Sequence, residues 1–506
     1  MSEAGKHRVW VVVFLAAGWA AFGAYRIWQA VVAPAAVWQD SLGYRAVSTH
    51  GILSGALWAG PRSPLVPLLL KLTHGFADYA VVQAIIATAA WGILALTVSR
   101  LVPEGWRSVV MAWAVLGFAT APLVVQWDWS VLSESPSLSA LALLCASGIW
   151  LVWGFSWIRL TTMGVAAAAY VGLRDADIWT VGVVGVVLLV VGLYETIHGA
   201  ALGPGALTHA IRAKWGQSRR WVLVGVVLLS LASVAGVGAD ASHRNGLNIE
   251  EALYVRVFPF PDRVAWFSSH GMPDGSAIDA LARTTVPAAH SAKIVAPDLS
   301  DPSWQPLLSW FDHQGEMTYA FFLVTHPLYD LTAPFASPAL TYNNASGDLS
   351  FYLPVGHQPL GFLEAVFVPN HVVVIVLAVL AFLLVSTRTR RRREWRFLVF
   401  FAAVGLFSML LAWHGEGMEV TRHMVEGNVE VRLGVLLMIL LAVLGHGRSH
   451  EEATESGATV PASEATDPSA ASEPSEPVSS EKELSPAPSL ESASVPMVEV
   501  EEPLAR

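Results

Sequence analysis

The sequence predicts an all-α polytopic membrane protein with about ten transmembrane helices. Hydrophobic residues make up 54% of the 506 residues and charged residues only 14%. The mean hydropathy is +0.51, and a soluble domain of this length does not reach such a value. The apolar residues are also grouped into stretches of the length that crosses a hydrocarbon core, about 20 residues each. These observations make the lipid bilayer the first expected partner.

Ten apolar stretches are the predicted transmembrane segments. The first follows the basic residues Lys6, His7 and Arg8, and the fifth is the shortest. In chain order they are residues 9–31, 79–99, 108–126, 135–155, 160–173, 178–194, 221–239, 371–386, 397–413 and 429–446. Two short interfacial helices would fit into the long connection, residues 32–78, between the first two segments.

Two short basic loops set the predicted orientation, because Lys and Arg in short loops are retained on the cytoplasmic side of a membrane. One loop lies between the sixth and seventh segments and the other between the eighth and ninth. Their basic residues are Arg212, Lys214, Arg219 and Arg220, and Arg388, Arg390 to Arg393 and Arg396. This pattern predicts a multi-pass protein of the cell membrane with both termini cytoplasmic.

Four regions are predicted along the chain. Residues 1–239 form an N-terminal transmembrane module with seven segments, and residues 240–370 form a smaller extracytoplasmic lobe rich in Trp, Phe, Pro and Tyr. Residues 371–446 carry the last three segments. Residues 447–506 are rich in Ser, Glu, Pro and Ala and predict a disordered acidic cytoplasmic tail, because such a composition cannot bury enough apolar area to fold.

Polar residues gather where predicted segments end on the outer face. A carboxylate in the long first loop, Asp40, is the best catalytic candidate. The four short groups are Asp40 and Ser41 with Tyr44; Asp128 with Ser133, Glu134 and Ser135; Arg174 and Asp175 with Asp177; and Arg422 and His423 with Glu416, Glu419 and Glu426. Loop ends are normally polar, so each group alone is weak evidence, but all four are predicted to meet at one membrane face.

The sequence gives little support for a disulfide or for a metal site built on cysteine or histidine. Cys145 is the only cysteine, so an internal disulfide and a thiolate metal site are both excluded. The six histidines of residues 240–370 lack the close spacing of a zinc site.

Several of these features form a combination found in one superfamily. They are Asp40 in an enlarged first outer loop, the run Gly60 to Pro67 after it, Ser133-Glu134-Ser135 at the outer start of the fourth segment, and Arg174-Asp175 after the fifth. With the ten-segment pattern, they resemble the GT-C superfamily of integral-membrane glycosyltransferases, such as mannosyltransferases and arabinosyltransferases. The resemblance covers about residues 9–240. Many members carry a second acid after the first-loop aspartate, whereas this chain has Ser41.

The resemblance implies an enzyme of cell-envelope glycan or glycoconjugate synthesis with a GT-C-like fold. It would move a sugar from a polyprenyl-phosphate donor to a hydroxyl of a glycan, lipid or protein acceptor outside the cytoplasm, inverting the anomeric centre. Asp40 would be the general base that takes the proton of the acceptor hydroxyl. Arg174, and after it Arg422, would meet the negative charge of the departing phosphate.

The other residues of the polar groups are expected to position substrate. They are Tyr44, Arg62, Glu134, Asp175 and His423. Glu134 and Asp175 are also the candidate ligands of a divalent metal ion, and whether the enzyme needs one is open. No nucleic-acid partner is expected.

Two alternatives to this function stay open. A polysaccharide polymerase or an enzyme like the O-antigen ligases would place its functional residues in a late outer loop, here residues 240–370 and Arg422-His423. A transporter or an inactive membrane partner is the other alternative, and a transporter would show ionisable residues at mid-membrane depth and internal repeats.

Overall fold

The computed structural model describes residues 3–32, 34–200, 207–242, 244, 252–275, 302–336, 360–388, 393–415 and 420–445. Within these ranges the chain is helical, with no β-strand and a single isolated backbone bridge between Ala36 and Ser130. The all-α class is therefore confirmed. The predicted tail, Glu416 and Glu419 lie outside the described residues.

The described residues contain twenty α-helices whose first and last residues are both defined. They are α1 (Glu3–Val32), α2 (Gln39–Ser48), α3 (Gly55–Trp58), α4 (Leu65–Leu72), α5 (Phe76–Ser99), α6 (Trp106–Thr120), α7 (Pro122–Val125), α8 (Glu134–Trp153), α9 (Trp157–Leu173), α10 (Ala176–Ala200), α11 (Leu207–Ala241), α12 (Pro261–Ser269), α13 (Gln305–Trp310), α14 (Glu316–Thr325), α15 (Pro327–Ala336), α16 (Gly361–Phe367), α17 (His371–Arg388), α18 (Arg393–Gly415), α19 (Val420–His423) and α20 (Val425–Leu444). The first loop thus holds three short helices, α2 to α4, rather than two.

Seven helices in the described part of the chain are long and apolar enough to cross a membrane. They are Arg8–Val32, Phe76–Ser99, Glu134–Trp153, Ala176–Ile197, Arg219–Ala241, Arg393–Gly415 and Val425–Leu444. Two bent pairs, α6 with α7 and α16 with α17, raise the number to nine if each pair is one span. Helix α9 is apolar but shorter. All ten predicted segments therefore fall on helices, and seven to nine of them qualify as spans by length and composition.

Proline explains both bends. In the first pair, Ala121 precedes Pro122 and adopts an extended conformation, as the ring of a following proline requires. The axes of α6 and of the helical segment Pro122–Trp129, which begins with α7, consequently differ by 59°. The second pair bends by 45° around Pro369, and the side chain of Asn370 accepts the N–H of Val373 to start α17. The predicted segment 108–126 is thus broken near its C-terminal end.

Small residues bring the last two spanning helices close together. A Cβ on Gly427 of α20 would lie only 2.6 Å from the carbonyl oxygen of Gly405 in α18. Side chains at these positions would force the helices apart, as in other membrane helix pairs that meet through glycine. The contact fixes the first turn of α20, which carries Glu426.

A second buried cluster, mostly aromatic, lies in the described part of residues 252–336. Its members include Tyr254, Phe258, Phe267, Trp304, Trp310, Phe311, Tyr319 and Phe322. It is joined to the helical bundle by Tyr319, whose hydroxyl donates to the carbonyl oxygen of His414 at 3.0 Å, and by a 2.8 Å contact between His414 Nε2 and the Asp330 carboxylate. The limits of the four predicted regions stay a prediction.

Candidate functional site

Helix α2 carries Asp40 in its first turn and is fixed in place by Ser41. The Ser41 hydroxyl accepts the backbone N–H of Trp38 at 2.9 Å and donates to the carbonyl oxygen of Val131 at 2.6 Å. Ser41 is fully buried. An ionised carboxylate at this position could accept the first bond but could not donate the second. Ser41 thus has a local structural role that a second acid at this position could not take over.

Hydrogen bonds from Gln83 of α5 hold the connection before α8, residues 126–133. The side-chain amide of Gln83 donates to three carbonyl oxygens at 2.6 to 3.2 Å. These belong to Trp127, Asp128 and Ser130. Because the connection is buried, its carbonyl groups need such partners. The hydrogen bonds of Gln83 thus fix the start of α8, where Glu134 lies fully buried.

Arg422 of α19 joins Asp40 to Glu134 across the end of the bundle. Its Nη1 lies 2.8 Å from Asp40 Oδ2 and its Nε 2.5 Å from Glu134 Oε1. On the other side of Asp40, Arg62 Nη2 lies 2.9 Å from Oδ1. Exposure falls with depth, from 36% for Arg62 and 25% for Asp40 to 6% for Arg422 and 0% for Glu134. Asp40 and Arg62 therefore form the open rim of the site.

Arg174 forms the next layer of the network. Its Nη1 lies 2.8 Å from Glu426 Oε1, its Nη2 lies 4.0 Å from Glu134 Oε1, and its Nη2 is 2.9 Å from His423 Nδ1. A guanidinium has no acceptor atom, so Nδ1 must accept this bond. Burial, with Arg174 and Arg422 nearby, lowers the pKa of His423 well below its ordinary value. His423 is therefore neutral at physiological pH.

The charge state of Asp40 follows from the same contacts. Partial burial alone would raise its pKa, but the positive charges of Arg422 and Arg62 outweigh burial and lower the pKa below the ordinary value. Asp40 is thus an ionised carboxylate at neutral pH. Each of its oxygens keeps lone pairs beyond the one that faces a guanidinium.

Gly43 and Tyr44 shape the surface on which Arg62 lies. A Cβ on Gly43 would stand 2.9 Å from Arg62 Nε, so the absent side chain leaves room for the guanidinium to cross α2. The guanidinium carbon of Arg62 lies 5.6 Å from the centroid of the Tyr44 ring. Burial, and after it the charge of Glu134, raises the pKa of Tyr44. Tyr44 is thus a neutral, buried support for Arg62.

Asp175 faces the loop that carries Arg62. Its partners differ from those of its neighbour Arg174. Its Oδ2 accepts the hydroxyl of Ser63 at 3.0 Å and lies 2.9 Å from Arg244 Nε. Arg244 Nη1 also donates to the carbonyl oxygen of Gly60 at 2.6 Å. Asp175 and Arg244 together hold residues 60–63 and hence the backbone of Arg62. Arg244 was not among the predicted site residues.

The structure brings most of the predicted residues together. Asp40 lies in α2, Glu134 in the first turn of α8, Arg174 directly after α9 and Arg422 in α19. These four residues form one continuous network with Arg62, His423 and Glu426. These four parts of the chain therefore meet at one end of the bundle, and the membrane face on which they lie stays a prediction. Comparison of the chain with protein-family models and with curated proteins gave no match. The geometry of the network is therefore the basis for a functional proposal.

One strong ion pair was missed from the sequence. Arg26 of α1 binds Asp128 through Nε at 2.5 Å and Nη2 at 2.7 Å, and Ser135 donates its hydroxyl to the same carboxylate at 2.5 Å. Arg26 and Asp128 are both almost completely buried. Asp128 thus serves the packing of α1 on the connection before α8. An arginine inside an apolar segment was the available signal, because such a charge needs a partner.

The proposed metal ligands have other partners. Glu134 contacts Arg422 and Arg174, whereas Asp175 contacts Arg244. Within the described residues, no group of three or more His, Cys, Asp or Glu side chains could hold a metal ion. These two carboxylates therefore contact different arginines in this structure.

Proposed function

We propose that this protein is a membrane glycosyltransferase that moves a sugar from a polyprenyl-phosphate donor to an acceptor hydroxyl in cell-envelope glycan synthesis. One observation carries the proposal: an ionised, partly exposed carboxylate, Asp40, lies beside the partly exposed guanidinium of Arg62 at one end of an apolar helical bundle. A donor with its lipid tail between the helices and its phosphate at their end would meet both groups.

The proposed reaction is a single displacement. Asp40 takes the proton of the acceptor hydroxyl, whose oxygen forms a bond to the anomeric carbon. The bond between that carbon and the phosphate oxygen breaks, and its electron pair leaves with the polyprenyl phosphate. The anomeric centre is inverted, and the phosphate gains one negative charge that a cation must stabilise.

We assign the phosphate contact first to Arg62, ahead of Arg174 and Arg422. Arg62 is 36% exposed, whereas the side chain of Arg174 is 5% exposed and already contacts Glu426. A phosphate would have to displace a buried carboxylate to reach Arg174, and a buried charge left without its partner is costly. Arg62 has five N–H donors, so it can hold Asp40 and a phosphate at once.

A polymerase or ligase is the second candidate, because Arg422 and His423 of the late connection lie in the same network as Asp40. The two candidates differ in the lipid that the reaction releases. Transfer from a monophosphate donor releases a lipid monophosphate, and transfer of a glycan from a lipid diphosphate releases the diphosphate.

The test uses purified protein in lipid vesicles, a panel of radiolabelled polyprenyl-monophosphate and polyprenyl-diphosphate sugars, and short oligosaccharide acceptors. Asp40→Asn should bind the donor but transfer roughly 10²- to 10⁴-fold more slowly, the usual contribution of a general base. Asp78→Asn is the matched control, because Asp78 is a carboxylate in the first turn of α5, as Asp40 is in the first turn of α2, and 58% of its side chain is exposed. Equal losses in both variants, or near-normal transfer by Asp40→Asn, would contradict the assignment.

A further inference from the structure

Helices α14 and α15 carry a stripe of exposed apolar side chains outside the candidate site. The six residues of this stripe are each 50 to 77% exposed. They are Met317, Phe321, Val324, Leu328, Leu331 and Phe335. Within each helix the spacing of three or four residues places its three members on one face: Met317, Phe321 and Val324 on α14, and Leu328, Leu331 and Phe335 on α15. A continuous apolar surface of this kind marks an interaction site in a protein.

The opposite faces of the two helices contact the helical bundle near the end of α18. Tyr319 of α14 donates to the carbonyl oxygen of His414, and Asp330 of α15 pairs with the His414 ring. His414 lies in the last turn of α18, the candidate span Arg393–Gly415. Both helices are therefore fixed at the level where a spanning helix ends, which is the boundary between lipid and water.

We propose that α14 and α15 lie in the membrane interface with the stripe immersed in lipid, as an anchor that does not cross the bilayer. Each helix has 10 residues, or about 15 Å, half the roughly 30 Å of a hydrocarbon core. Pro327 also separates them.

Lipid explains the stripe better than a protein partner does. The stripe contains no charged residue, and the single acid of α15, Asp330, faces His414. An interfacial helix of this type inserts its apolar face about 5–10 Å into the boundary of headgroups and acyl chains. The proposal concerns an interaction surface and does not depend on the function proposed for the Asp40 network.

The test places a nitroxide spin label on each of two single cysteines in vesicles of phosphatidylethanolamine and phosphatidylglycerol. The background is Cys145→Ala, since Cys145 is the only cysteine and is buried. Val324→Cys reports the stripe, and Gln314→Cys is the control, because Gln314 is exposed and precedes α14. Collisions with oxygen, which concentrates in lipid, and with a water-soluble nickel chelate, which stays outside it, are measured by electron paramagnetic resonance.

The label at Val324→Cys should collide with oxygen several-fold more often than with the nickel chelate, and the label at Gln314→Cys should show the reverse. Frequent collisions with the nickel chelate at Val324→Cys would overturn the proposal by placing the stripe in water. Protection from both reagents would overturn it in favour of a protein partner. Circular dichroism of both variants confirms that the helices are retained.

Discussion

Arg422 offers the sharpest test of how the network is held together. Arg422→Leu removes the guanidinium that contacts both Asp40 and Glu134. Breaking a buried ion pair by removing one partner costs about 3–5 kcal/mol, because the other charge stays buried. The cost should not double, since Glu134 keeps Arg174 at 4.0 Å and Asp40 keeps Arg62 at 2.9 Å. We expect a loss of about 3–5 kcal/mol in the free energy of unfolding.

Arg62→Leu is the matched control for this variant. It also removes one guanidinium from Asp40, but both partners are partly exposed, and such pairs contribute about 0–1 kcal/mol. The double variant Arg422→Leu/Glu134→Leu should regain most of the loss, because it removes the buried charge as well.

The free energy of unfolding is measured by SDS titration in mixed micelles with far-ultraviolet circular dichroism. Equal losses for Arg422→Leu and Arg62→Leu would refute the inference that the buried Arg422 contributes more to stability than the partly exposed Arg62. A double variant as unstable as Arg422→Leu would show that the loss comes from packing rather than from an unpaired charge.

Two further predictions concern protonation and topology. Because the folded protein lowers the pKa of His423, the unfolded chain binds more protons just below pH 6.5, the ordinary histidine value, and the free energy of unfolding should fall as the pH drops through this range. His423→Gln should flatten that dependence in SDS titrations, and an unchanged slope would contradict the assignment. A cysteine at Ser303, which is exposed, should react with an impermeant maleimide in intact cells, and labelling only after lysis would reverse the predicted orientation.

The sequence was sufficient to place the helices, because a membrane span needs only a long apolar stretch that is visible locally. Residues 178–194, for example, fall entirely within α10. Prediction from the sequence is less accurate where a proline interrupts an apolar stretch or where the stretch is short. Pro122 breaks the predicted segment 108–126, and α9 is apolar but too short to meet the length of a span.

The pairing of side chains could be predicted only in outline. Polar residues at the ends of several segments on one predicted face suggested a common site, and Asp40 and Arg422 do meet although they are 382 positions apart. The identity of each partner depends on how distant helices pack. Arg244 was missed for this reason, since it contacts Gly60 and Asp175 from a different part of the chain.

The distribution of charge inside the bundle explains why the rim carries the proposed chemistry. Arg26 lies six residues before the end of α1 at Val32, and Glu430 lies five residues after the start of α20 at Val425, so both are within roughly 9 Å of a helix end. A transport pathway would instead be expected to place ionisable groups near mid-membrane depth. The buried Arg422 already contacts the buried Glu134, and its charge also holds Asp40 in place and ionised. Substrate charge is met at lowest cost by the partly exposed pair, Asp40 and Arg62.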